Sequence, residues 1–287
     1  MKQPSKPFSN LRLLGLVPFA LILTACSAEN EPAEADDEFP AGMFPDNAAP
    51  VAHPTSQEGR RMAAEGDADY QYMLGLVYDG GLFEITEDYA EAARWYRLAA
   101  DQGITDAQRR LGGMFALGEG VTQDYAESVK WYRLAADQGD AASQYSLGLR
   151  YMNGQGVPQN DLEAVKWFRL AANQGYAQGQ AFLASMYSGG RGVPQDDIEA
   201  LKWTKLAAEQ GHVNSQVIVG GSYVNSQDFV AAYAWLDIAV ASEDESAALF
   251  VTALETRSDL EGLMTPAQIA EAQQLSTEIF ERIQQGN

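Results

Sequence analysis

Few side chains in this sequence could act as nucleophiles or as transition-metal ligands. The 287 residues include one cysteine, Cys26, and two histidines, His53 and His212. Neither histidine has a second ligand-type residue at the one-turn spacing that helical metal sites use. Carboxylates are abundant, but no pattern among them indicates a tuned acid–base pair. We therefore predict no catalytic residue, no metal site and no cofactor, and we expect that the protein is not an enzyme.

Three Gly-x-Gly-Val sequences, at residues 118–121, 154–157 and 190–193, deserve comparison with phosphate-binding loops. A loop of that kind follows a strand and ends in Lys-Ser or Lys-Thr, and neither feature is present in the sequence. Paired glycines, in two cases followed by proline, are typical of turns. We predict that these segments are turns between helices.

The residues before Cys26 indicate its chemistry. Three basic residues precede an apolar run over residues 13–23, which is typical of a secretory signal peptide. The sequence Leu-Thr-Ala-Cys at 23–26 resembles the lipobox of bacterial lipoproteins. That resemblance implies removal of residues 1–25 and lipidation of Cys26, which would anchor the protein firmly. An ordinary signal peptide with a coincidental cysteine is the alternative. Ser27, in place of Asp, favours the outer membrane over the inner one under enteric-type sorting.

Net charge narrows the classes of partner. The chain carries −21, and removal of the three basic residues in 1–25 leaves about −24. Nucleic acid is a poor partner for such a protein, because phosphate binding needs clustered cations. Residues 26–54 are acidic and rich in proline, and they contain too little apolar surface to fold. We predict that they form a lipidated tether that holds a periplasm-facing folded region away from the membrane.

A unit of 36 residues is repeated along most of the remaining chain. Tryptophan and a Gln-Gly pair recur at this spacing, and the residues between them are closely similar. Such periodicity predicts an array of small units, each of which buries its apolar face against its neighbours. The recurring residues are Trp95, Trp131, Trp167 and Trp203, and Gly103, Gly139, Gly175 and Gly211.

Each unit is predicted to contain two helices. In the first, a Leu or Val is followed four residues later by an aromatic residue, so that both lie on one buried face. A Gly or Ala beside that Leu or Val would let a neighbouring helix approach closely. In the second, an Asp or Asn followed three residues later by Glu predicts a capping box, and Gln-Gly predicts the helix end. The predicted N-caps are Asp88, Asp124, Asn160, Asp196 and, without the Glu, Asp228.

The pattern over about residues 60–242 resembles the Sel1-like repeat, a relative of the tetratricopeptide repeat. The resemblance implies an all-α fold, a right-handed α-solenoid of about five helix pairs over residues 55–242, with helical caps at both ends. A lone second helix near residues 62–66 would form the N-terminal cap. Residues 243–287 are predicted to form two capping helices, roughly 244–262 and from Pro266 to about Ile283.

The repeats also predict a binding surface. By resemblance to tetratricopeptide arrays, the first helices should line a concave face. Positions one before and three after each Leu or Val vary freely, and variable Met, Phe and Arg side chains are typical of recognition surfaces. Packing against a neighbouring helix is the alternative explanation. Arg110 and Arg150 are the strongest candidates, because a charge is expected at the surface. The full set of candidate partner-binding residues is Met73, Val77, Arg110, Met114, Ser146, Arg150, Phe182 and Met186.

These observations predict a non-enzymatic adaptor lipoprotein of the bacterial cell envelope that binds an unidentified protein or peptide. A scaffold for exopolysaccharide secretion is one alternative, since some lipidated relatives have that role, and a glycan would then be the partner. A periplasmic regulator of a membrane sensor kinase is another.

Overall fold

The computed structural model describes residues 53–242 and 249–286. Within these ranges it contains 13 α-helices and no strand. The residues group into two compact units, an N-terminal unit that ends at Trp167 and a C-terminal unit that begins at Phe168. Residues 1–52, which include the predicted signal peptide, Cys26 and nearly all of the predicted tether, lie outside the described ranges.

In the N-terminal unit a lone helix precedes the first complete helix pair, as predicted. First and second helices alternate, and each second helix packs against the first helix that follows it. The helices are α1 (Gln57–Glu65), α2 (Ala68–Asp79), α3 (Tyr89–Asp101), α4 (Thr105–Leu117), α5 (Tyr125–Asp137), α6 (Ala141–Asn153) and α7 (Asp161–Asn173), the last of which contains the boundary between the units.

The C-terminal unit continues the alternation and ends with two helices of a different arrangement. Its helices are α8 (Ala177–Gly189), α9 (Asp197–Ala208), α10 (Val213–Asn225), α11 (Phe229–Ala241), α12 (Phe250–Glu261) and α13 (Pro266–Gly286). Both α12 and α13 pack extensively against α11. Thr265 caps the start of α13, because its Oγ1 accepts a hydrogen bond from the Gln268 N–H at 3.3 Å.

Small residues let the two helices of a pair approach closely, as predicted. A Cβ atom on Gly75 of α2 would lie only 2.4 Å from the ring of Tyr96 on α3. Gly112 of α4 has the same relationship to Tyr132 of α5, where the distance would be 2.8 Å. The aromatic residue directly after the repeated tryptophan therefore fills the space that the glycine leaves, and Tyr96 is fully buried.

The predicted capping boxes are correct in one half and wrong in the other. Asp88 accepts hydrogen bonds from the N–H groups of Ala90 and Glu91, at 3.0 and 3.1 Å, as an N-cap should. Glu91 does not return the bond. Instead, the Asp88 N–H donates to the Tyr78 carbonyl at 2.9 Å, and Glu91 pairs with Arg94. The backbone of the preceding first helix thus satisfies the N–H that the box would have used.

A glutamine side chain links successive repeats at the ends of α3, α5 and α9. The Gln138 amide donates to the side-chain oxygen of Gln108 at 2.8 Å and to the Gly103 carbonyl at 3.2 Å. Gln108 is buried and donates in turn to the Ala100 carbonyl at 3.0 Å. The Gln of the Gln-Gly pair, which the sequence suggested only as a helix end, therefore also joins one repeat to the next.

Candidate interaction surface

The structure places the predicted stripe mainly inside the two units. Six of its eight residues are at most 4% exposed, and Ser146 and Arg110 are partly buried. This burial favours the alternative that the stripe varies with local packing. Partner binding by these positions stays a prediction. The six buried residues are Met73, Val77, Met114, Arg150, Phe182 and Met186.

Neighbouring helices cover the stripe because each first helix packs against second helices on two sides. Met114 belongs to the same core cluster as Tyr96 and Trp131. The Phe182 ring lies 5.3 Å from the Phe168 ring, centroid to centroid. Side chains of different volume at these positions are therefore matched by local partners, so their variation does not indicate an exposed face.

Arg150 is a buried charged residue whose side chain is surrounded by protein groups. Its guanidinium lies 5.0 Å from the ring centroid of Tyr125, and its Nη1 donates to the Gln155 side-chain oxygen at 2.6 Å. Burial lowers the pKa of Arg150 to about 10. The expectation that this charge lies at the surface is wrong, because the aromatic ring and the amide replace part of its hydration.

Arg110 is held in a polar network of the N-terminal unit. Its Nη1 lies 3.3 Å from Oδ2 of Asp79, which also accepts a hydrogen bond from the Tyr96 hydroxyl at 2.8 Å. Burial and the nearby Asp79 carboxylate raise the pKa of Tyr96. The three side chains tie α2 to α3 and α4, so Arg110 has a structural role whether or not it also contacts a partner.

One exposed apolar position recurs on the second helices. A leucine three residues after each repeated tryptophan is 37–47% exposed in four successive repeats. The sequence does not reveal this position, because periodicity alone does not show which apolar position is left uncovered. They are Leu98, Leu134, Leu170 and Leu206.

Comparison with protein families identifies four of the repeats. The Sel1 repeat model matches residues 68–104, 105–140, 141–176 and 177–212. The chain belongs to the Sel1 repeat family. A fifth pair, α10 and α11, continues the Sel1 array beyond the matched residues. Sel1 repeats generally mediate protein–protein binding, and the all-α solenoid fold expected from the resemblance is confirmed.

Two solved structures of Sel1-type proteins resemble this one. A Sel1 repeat protein from Oxalobacter formigenes is 32% identical with a TM-score of 0.56, and the match covers 63% of this chain and 73% of that one. A protective antigen of uropathogenic Escherichia coli strains, which displays an SLR fold, is also 32% identical with a TM-score of 0.66. The match covers 91% of this chain and 56% of the antigen, so this chain spans little more than half of that relative's length. A search of curated proteins finds no match.

The remaining candidates for chemistry have structural roles or lie outside the described ranges. His212 caps α10, where its Nδ1 accepts a hydrogen bond from the Ser215 N–H at 3.2 Å. Across residues 53–242 and 249–286, no group of three or more His, Cys, Asp or Glu side chains could hold a metal ion. No helix in the same ranges is both long and apolar enough to span a membrane.

Proposed function

We propose that this Sel1 repeat protein is a non-enzymatic adaptor, anchored through Cys26 and facing the periplasm, with the outer membrane as its site. The observation that carries the adaptor role is the family-matched array of helix pairs, whose repeats are joined by side-chain contacts such as Gln138–Gln108. Within each unit, packed repeats present side chains at fixed spacing, which suits the recognition of a protein surface.

The anchored location is supported by the sequence at 23–26 and by the acidic, proline-rich residues that follow. A tether of about 28 residues would let the array reach partners beyond the headgroup region. The net charge of −21 disfavours nucleic acid and acidic glycans as partners.

Lipidation is tested first. The full chain is expressed in a bacterial host with an alkyne fatty acid, beside the Cys26→Ser variant. The unaltered chain should incorporate the label and sediment with membranes, and Cys26→Ser should do neither. Equal labelling of the two chains, or membrane association without Cys26, would refute the anchor.

Adaptor function is tested in the native envelope. The lipidated chain is cross-linked in cells, purified and analysed by quantitative mass spectrometry, with Cys26→Ser as the control for location. Stoichiometric recovery of one protein partner supports the adaptor. Enrichment of glycan without protein would instead favour the polysaccharide role and reject the proposal.

A further inference from the structure

Leu98 on α3 and Leu134 on α5 are exposed apolar side chains of the N-terminal unit, here together called the leucine ridge. They occupy equivalent positions in successive repeats and are 43% and 47% exposed. Their helices are joined through a shared core, because Ala99 and Ala100 of α3 belong to the same cluster as Trp131 of α5. Two apolar side chains are therefore held in register on a rigid support.

In the fifth repeat the same position is covered. Ile238 lies three residues after Trp235, as Leu134 does after Trp131, yet Ile238 is only 4% exposed. It belongs to a cluster with Ile279 and Ile283 of α13. The chain itself thus shows what kind of element covers this position of a Sel1 repeat.

The covering element is an amphipathic helix. Leu275, Ile279 and Ile283 are spaced by four residues, so they form one apolar face of α13. Beside this face, Ser276 donates a hydrogen bond to Oδ2 of Asp237 at 2.8 Å. The contact therefore combines an apolar strip with one polar anchor.

The polar anchor differs at the leucine ridge. Asp237 occupies the position that Arg97 and Arg133 have in the earlier repeats. A helix that binds the ridge must consequently offer an acceptor where α13 offers the Ser276 hydroxyl. Arg94 and Lys130, each four residues before a ridge leucine, are also well exposed, and each pairs with a glutamate three residues earlier, Glu91 or Glu127.

We propose that the leucine ridge binds an amphipathic helix of a partner protein. That helix carries apolar residues at i, i+4 and i+8 and a carboxylate beside them, facing Arg97. The inference deepens the adaptor function proposed above and depends on it, since it names the chemistry of the adaptor's partner. Helix-in-groove recognition likewise depends on apolar anchors that recur along one face of the bound helix.

The probe is a fluorescein-labelled peptide of residues 266–286 in which Ser276 is replaced by Glu. The new carboxylate suits Arg97 and is repelled by Asp237, so exchange with α13 at its own site is disfavoured. Fluorescence anisotropy measures its binding to the detergent-solubilised full chain. A control peptide carries the further changes Ile279→Asp and Ile283→Asp.

We expect saturable binding that the Leu98→Gln/Leu134→Gln double variant weakens about tenfold or more, because two apolar contacts are lost. Leu117→Gln is the matched control, since Leu117 is 46% exposed on a first helix. It should bind as the unaltered chain does. No saturable binding, equal binding by the double variant, or equal binding of the control peptide would overturn the proposal.

Three further outcomes distinguish the leucine-ridge proposal from the adaptor function on which it depends. If the unaltered chain forms dimers that the double variant abolishes, as measured by sedimentation, the ridge is occupied by a second copy and the partner helix is rejected. If the double variant captures the same envelope partner at the same stoichiometry, the ridge is wrong and the adaptor stands. If neither chain captures a protein in cells, the adaptor itself fails.

Discussion

Arg169 on α7 and Tyr187 on α8 form a joint between successive helices of the C-terminal unit. The Arg169 Nη2 donates to the Tyr187 hydroxyl at 3.0 Å, and the guanidinium lies 5.9 Å from the ring centroid. The same two positions are in contact in three other repeats. The pairs are Arg97–Phe115, Arg133–Tyr151 and Lys205–Tyr223.

In the last repeat the equivalent contact is also made, but the second helix contributes an anion instead of a cation. Asp237 takes the position of the cation, and Arg257 on α12 lies 2.9 Å from its Oδ1. Asp237 also accepts the hydrogen bond from Ser276. The Asp237 carboxylate therefore contacts both terminal helices, α12 through Arg257 and α13 through Ser276. A guanidinium stacked on an aromatic ring would not accept these two hydrogen bonds.

Replacing Tyr187 by Phe should lower the free energy of unfolding by about 0.5–1.5 kcal/mol, because it removes the hydrogen bond and leaves the stacking. Tyr187→Leu should cost about 0.5–1 kcal/mol more, since the cation–π contact is also lost. Urea denaturation followed by circular dichroism measures both. The reciprocal Phe115→Tyr change beside Arg97 should not destabilise the protein. A Tyr187→Phe variant as stable as the unaltered chain would show that the hydroxyl contributes nothing.

Two adjacent glycines of α4 give a matched pair. A Cβ on Gly112 would lie 2.8 Å from the Tyr132 ring, whereas a Cβ on Gly113 would meet only the Tyr132 hydroxyl oxygen, at 3.5 Å. Gly112→Ala should therefore destabilise the protein by about 1–3 kcal/mol through overpacking. Gly113→Ala should stabilise it by about 0.5–1 kcal/mol through helix propensity. Thermal unfolding compares them, and equal effects would contradict the close approach.

Local signals explain why the helices were predictable. The N-cap at Asp88 and the left-handed glycine at Gly103, with φ of +94°, depend on residues within one turn. Such features can be identified in one repeat and checked in the next. The outer boundaries of the predicted domains remain predictions, because residues 1–52 and 243–248 lie outside the described ranges.

The interaction surface could not be predicted in the same way, because burial depends on which helices flank a position. Arg150 was expected at the surface, but Tyr125 and Gln155 cover it. The sequence does not single out Leu134, which is 47% exposed. The spacing of Leu275, Ile279 and Ile283 indicates an apolar helix face outside the repeats. That face needs an apolar surface to cover, and in the structure it covers Ile238.

The glutamine contacts between repeats predict a stability effect at Gln108. Gln108→Met keeps the side-chain volume but removes two hydrogen bonds, from the Gln108 amide to the Ala100 carbonyl and from the Gln138 amide to the Gln108 side-chain oxygen. The free energy of unfolding should fall by about 1–3 kcal/mol, because two hydrogen bonds of a buried side chain are lost. Gln273→Met on the exposed side of α13 is the control and should change it by less than about 0.5 kcal/mol. Similar free energies of unfolding for the two variants in urea denaturation would show that the glutamine contacts between repeats do not stabilise the protein.

His212 gives the C-terminal unit a pH dependence of defined sign. Burial lowers its pKa from 6.5 to about 4. Above pH 6.5 the imidazole is neutral in both the folded and the unfolded chain, so His212 does not contribute to the pH dependence of stability there. Between pH 6.5 and 4 the unfolded chain binds the proton more readily, so stability falls as the pH falls.

The loss over that window should be about 1–3 kcal/mol, measured as the difference between the unaltered chain and His212→Asp in urea denaturation at half-unit pH steps. Asp suits the position because Asp140 caps α6 in the same way, accepting from the Ser143 N–H at 2.7 Å. The variant should be comparably stable at pH 7.5 and should lose less stability between pH 6.5 and 4.5. Parallel pH profiles for the two proteins would mean that His212 is protonated as easily in the folded chain as in the unfolded one.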